Sequence, residues 1–170
     1  MSISAVNYQE TFFPKPDLTR ILGIPTYNSL HQMQLELNSN ALCIQSNLGG
    51  GTYGHLGILM TNTKYAILSH VAYSHPVHPG IQRIPNNTTH VASYKLKIVY
   101  GKNILVFHEV RGVEQELIQK VVTAVAKQYI ISMKNRTTVN FTGNIRQIFA
   151  YLLSTYRKIS PSHLKSPKNK

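Results

Sequence analysis

The chain has 170 residues, 42% of them apolar, with 18 Lys and Arg against 6 Asp and Glu for a net charge of +12. That size allows one domain around one core rather than two. No apolar run approaches the roughly 18 residues a membrane span needs, so no membrane partner is expected. The charge is uneven: residues 1–116 hold 8 basic and all 6 acidic residues, whereas residues 117–170 hold 10 basic and none acidic. A C-terminal third at +10 points to a polyanionic partner, most often nucleic acid, or to a tail that repels itself and stays soluble.

Residues 1–16 have neither a basic start nor an apolar stretch, so they do not read as a signal peptide, and a cytoplasmic or nuclear protein follows by default. The Asn-x-Thr triplets at Asn86, Asn87, Asn135 and Asn140 carry little weight in that setting. Residues 1–17 read as an extended arm, because Phe12-Phe13-Pro14-Lys15-Pro16 has no period and two prolines. Its aromatics would latch onto a neighbour or onto the arm's own domain. Residues 18–25 read as a short helical turn stopped by Gly23 and Pro25. Thr26 then offers a capping hydroxyl, and Leu30, Met33, Leu37, Ala41 and Ile44 recur at spacings of three and four, which predicts a helix over about 27–45. Cys43 falls within that apolar pattern and reads as a small buried hydrophobe.

Gly49, Gly50, Gly51, Gly54 and Gly57 then crowd into nine positions. No Lys-Ser or Lys-Thr follows as in a P-loop, and no strand precedes as in a dinucleotide-binding turn. The segment reads as a packing turn in which Gly54 and Gly57 permit close approach and His55 is packed and hydrogen-bonded. Residues 56–68 predict two short helices separated by the capping cluster Thr61-Asn62-Thr63. Residues 69–89 predict a long exposed loop containing His70, His75, Pro76, His78, Pro79 and Gly80. Its histidines lack a nearby Cys or a helix to fix them, so no metal site is expected.

Thr88 or Thr89 caps a helix to about Val110, with Val91, Tyr94, Ile98, Leu105 and Val110 apolar and Gly101 its weak point. Arg111-Gly112 predicts a break. A central helix over 113–130 follows, with an apolar face at 113, 117, 118, 121, 122, 125 and 129, Glu114 and Glu116 in its first turn, and Lys127 near its end. Residues 135–141 read as a connector. Thr142 caps a last helix with the stripe Ile145, Ile148, Phe149, Leu152, Leu153 and Tyr156. Residues 160–170 lack periodicity and predict a disordered basic tail.

The expected fold is therefore all-α: a compact bundle of about five to seven helices over residues 18–159, with a long Pro/His-rich loop, the arm at 1–17 and the tail at 160–170. Catalysis needs titratable groups in pairs, and the acidic residues are Asp17, Glu10, Glu36, Glu109, Glu114 and Glu116, none with a partner evident in sequence. No catalytic residue, no cofactor, no metal and no small-molecule substrate is assigned. Electrostatic contacts to nucleic acid are assigned to Arg157, Lys158, Lys165, Lys168 and Lys170, which sit where no ordered scaffold aims them at base edges.

The segment Leu48-Gly-Gly-Gly-Thr-Tyr-Gly-His-Leu-Gly57 resembles the N-terminal part of the Gag-like polyproteins of copia-type retrotransposons. The resemblance extends to Gly23-Ile-Pro-Thr-Tyr27, Pro76-Val-His-Pro-Gly80, Phe107-His-Glu-Val-Arg-Gly-Val-Glu-Gln115 with Leu117-Ile118, and Lys134-Asn-Arg-Thr-Thr138, within residues 17–164. It implies a structural, capsid-forming helical protein that associates with itself and packages RNA. The alternative is a monomeric helical module that binds nucleic acid without assembling.

Overall fold

Thr26 is extended and its hydroxyl accepts the Ser29 amide at 3.2 Å, while the Ser29 hydroxyl accepts the Thr26 amide at 2.9 Å. This reciprocal cap starts α1 (Tyr27–Cys43) where the sequence places it. The computed structural model describes residues 13–46 and 53–157. Among them are three further α-helices, α2 (Asn62–Ser69), α3 (His90–Ala124) and α4 (Ile145–Tyr156), and single 3-10 turns at Leu56–Ile58, Lys127–Tyr129 and Ile131–Met133. The described residues hold no strand, only isolated bridges pairing Ile21 with Val125 and Lys134 with Phe141. The chain is mostly helical, with four α-helices among the described residues rather than five to seven.

One missing helix is the turn expected over 18–25. Two buried polar groups on α1 hold this stretch extended: the Thr19 amide and hydroxyl both donate to the Glu36 carboxylate, at 2.8 and 2.6 Å, and Asn40 exchanges two hydrogen bonds with the Lys15 backbone at 2.9 and 2.8 Å. Strapped this way, Phe13, Leu18 and Ile21 are buried, and the Ile21 amide reaches the Ala124 carbonyl at 2.9 Å. These hydrogen bonds to α1 and the backbone bond to α3 outweigh a weak local helix preference. Of the aromatics expected to latch, Phe13 packs into its own domain, while Phe12 lies outside the described residues.

The other difference is a fusion. The helices predicted to end at Val110 and begin at Val113 are one, α3, which runs unbroken through Arg111-Gly112 for 35 residues, roughly 52 Å at 1.5 Å per residue. A single helical glycine costs about 1 kcal/mol, too little to interrupt a helix whose Val110, Val113, Leu117, Val121 and Ala124 are all buried across that point. Glu114 and Glu116 are consequently mid-helix, and α3 ends at Ala124, leaving Lys127 in the following 3-10 turn. No α3 residue before Val110 is buried.

The last helix is capped by Asn144, not Thr142. Asn144 Oδ1 accepts the Gln147 amide at 3.0 Å and the Asn144 amide donates to the Gln147 side chain at 2.9 Å, whereas the Thr142 hydroxyl donates to the Met133 carbonyl at 2.9 Å. Its stripe then packs as expected, with Ile145, Ile148, Phe149 and Leu152 buried. Thr61 and Thr89 cap α2 and α3. Cys43 ends α1 on the exposed side and is not buried. The core lies where α1, the C-terminal half of α3 and α4 meet, with α2 and the Leu56–Ile58 turn against one end. No described helix is long and apolar enough to cross a membrane.

Candidate functional site

Of the glycine-rich segment, the described residues 53–57 form a joint at the end of α1. Gly54 has φ +49° and lies so close that a Cβ would sit 2.5 Å from the carbonyl oxygens of both Ala41 and Ile44, so only glycine fits. The His55 amide donates to the Ala41 carbonyl at 2.8 Å, satisfying one of the acceptors left open at a helix end. The His55 ring is fully buried, with Nε2 3.2 Å from Glu109 Oε1 on α3. Burial pushes its pKa down to about 4, partly opposed by the Gln45 backbone.

Gly57 has a different partner, because a Cβ there would overlap the Tyr73 ring. The ring lies edge-on to Tyr65 at 5.4 Å, and its phenol is pushed up to about 12 by burial, with Arg146 pulling it down and Glu114 and Tyr65 adding to the rise. Arg146 on α4 closes the joint: Nε donates to the Ile58 carbonyl at 3.1 Å, Nη1 to Asn62 Oδ1 at 3.0 Å and Nη2 to the Gly57 carbonyl, while the guanidinium stands 5.5 Å from the Tyr73 ring centre. Glu114 Oε1 accepts the Ile145 amide at 3.1 Å, so a carboxylate from α3 sits at the positive end of α4. Its other oxygen is 3.9 Å from His75 Nε2, and His75 Nδ1 is 3.3 Å from the Tyr73 hydroxyl.

A cleft of about 110 Å³ lies among Ile58, Asn62, Tyr73, His75, Glu114, Asn144 and Arg146. Its charged groups already hold backbone and side chains of three elements. What the arrangement does chemically is fix α2, α3 and α4 together.

The Pro/His loop is ordered along α3. The Tyr100 hydroxyl donates to the Gly80 carbonyl at 2.9 Å, the Gly80 amide donates to His78 Nδ1 at 3.0 Å, and the His78 ring meets Phe107 edge-on at 5.0 Å. His75, His78 and Gly80 are exposed, while Pro76 and Pro79 are half-buried. No three potential metal ligands come together among the described residues.

Of the expected nucleic-acid contacts, Arg157 is exposed just after α4, while Lys158, Lys165, Lys168 and Lys170 lie outside the described residues, as do Gly49, Gly50 and Gly51. Other C-terminal cations are already engaged: Arg146 in the joint, and Lys134, whose ammonium is 5.0 Å from the centre of the Phe141 ring. Lys120 is buried beside a cleft of about 560 Å³ that Asp17, Arg20, Gln119 and Thr123 also line. The sequence does not single out Glu36, Asn40, Tyr73, Glu114 or Arg146 as parts of a site. Glu36 and Asn40 carry a signal nonetheless, since α1 buries them among Met33, Leu37 and Ala41, where a polar residue needs a specific partner. No protein-family model, no curated protein and no solved structure matches the chain.

Proposed function

We propose that the protein is a Gag-like structural module, of the copia-type retrotransposon kind, that associates with itself and contacts RNA through its basic C-terminal region. The observation that carries this reading is the resemblance segment itself. Gly54, His55 and Gly57 are the residues on which α1, α3 and the Tyr73 loop converge: a Cβ at either glycine would overlap its neighbours, and the buried His55 ring faces the half-buried Glu109. That makes the shared residues determinants of a fold rather than of a reaction. The charge of +10 over residues 117–170 supports the RNA component, and equally supports the alternative of a monomeric nucleic-acid-binding module.

Both readings predict phosphate contacts, steep in salt and indifferent to base sequence. Neutralising about four or five phosphates on a single strand gives a log–log salt slope near −3, at about −0.7 per contact. Deleting residues 161–170 removes three of those lysines and should flatten the slope by about two units without moving the thermal melt. An unchanged slope would transfer binding to the folded helices, and no RNA binding at low salt would remove the RNA component altogether. Concentration-dependent mass in the absence of nucleic acid separates the assembly module from the monomeric one.

A further inference from the structure

Lys120 occupies a core position on α3. It lies a turn after Leu117 and a turn before Ala124, both buried, and is itself only 9% exposed. Among the described residues nothing gives its ammonium a hydrogen bond, an ion pair or an aromatic face. Glu116, a turn earlier on the same helix, leaves Oε2 buried and unpaired rather than meeting it. A charge removed from water without a partner is costly, and methionine would supply the same apolar stem without that cost. What stands beside Lys120 in place of a partner is the cleft of about 560 Å³.

That cleft has fixed walls. One is the extended strap over residues 17–20, anchored on both sides of Arg20: the Thr19 amide donates to Glu36 at 2.8 Å, and the Ile21 amide to the Ala124 carbonyl at 2.9 Å. Arg20 and Gln119 line the cleft and, like Lys120, have no side-chain partner among the described residues, so three sets of donors border one space. Asp17 lines it with an unpaired carboxylate, and Leu18 and Ala124 add apolar surface. The smaller cleft at the joint differs, because its Arg146 and Glu114 already hold backbone groups.

We propose that this cleft binds a small phosphate monoester that also carries hydroxyl groups. The site is independent of the Gag-like reading. A phosphate dianion matches two cations, with Arg20 offering a planar fork and Lys120 a point charge, and Gln119 adds a neutral donor. Asp17 repels the phosphate and so belongs to the other end of the ligand, where it accepts from hydroxyls. The volume falls within the roughly 300–1,000 Å³ of small-molecule sites. With Lys120 recessed, a terminal phosphate reaches it where a phosphodiester, with chain on both sides, is held off.

The test is a calorimetric titration of the full chain, free of nucleic acid and at fixed ionic strength, with ribose 5-phosphate, inorganic phosphate and ribose. Ribose 5-phosphate should bind saturably and ribose not at all. Lys120→Met and the exposed Arg20→Gln should each weaken binding about tenfold or more, with the melt of Lys120→Met equal to or above that of the wild type. Lys97→Met, roughly 35 Å away along α3, should change nothing. Asp17→Asn should narrow the preference for ribose 5-phosphate over inorganic phosphate. No saturable binding, binding that survives both Lys120→Met and Arg20→Gln, or an equal loss in Lys97→Met overturns the site. So does an RNA without terminal phosphates whose affinity falls as far in Lys120→Met, since the cleft would then belong to a polyanion surface.

Discussion

Gly54 is the residue at which the joint is least tolerant. Alanine there must hold φ at +49° and drive a methyl into the carbonyl oxygens of Ala41, Leu42 and Ile44, and the combination of strain and overlap should cost about 2–4 kcal/mol in chemical denaturation. A loss below about 0.5 kcal/mol would mean that the α1 terminus shifts freely. Arg146→Met keeps the stem but strips the donors from the Gly57 and Ile58 carbonyls and should cost about 1–3 kcal/mol. His55 gives a pH signature. Its pKa is lowered from 6.5 to about 4, so the unfolded chain binds the proton first and stability falls as pH drops from about 6.5 toward 4, by on the order of 2–3 kcal/mol. The Glu109 carboxylate facing the ring limits that loss. Glu36 acts lower: burial would raise its pKa, but the Thr19 and Gln32 hydrogen bonds and Lys15 hold it below 4.5, so its contribution is present above that value and lost as pH falls through its folded pKa. His55→Asn should therefore flatten melting temperature against pH between about 6.5 and 4.5 and leave the steeper acid limb. An identical profile would place the titrating group elsewhere.

At the scale of elements, α1 is legible in the sequence because it pairs a capping side chain with an apolar stripe, α2 through its Thr61 cap, and α4 through its stripe, although its cap is Asn144 rather than Thr142. Arg111-Gly112 misleads, since a local breaker carries no sign that Val110 and Val113 are buried on either side of it. Residues 18–25 mislead too, because the Glu36 and Asn40 hooks are long-range and leave no local pattern. In the candidate joint, Gly54, Gly57 and His55 are legible as residues needing close packing. Arg146 and Glu114 are not, since a charged residue on an amphipathic helix looks the same whether it faces solvent or a neighbouring helix end. The unequal halves of α3 predict unequal protection: amides over residues 113–121 should exchange only on global unfolding, while those over 93–105 open locally and exchange much faster. Uniform protection along the helix would mean that its first half is packed after all.

At the scale of the whole molecule, the proposed contacts to RNA fall to a cationic C-terminal region of which Arg157 is a described and exposed member. Contacts of that kind would weaken as ionic strength rises. The most direct measurement of the central claim is the mass of the purified chain, free of nucleic acid, over a concentration series. The account predicts a mass that rises reversibly from monomer as concentration increases; a monomeric mass at every concentration would contradict it.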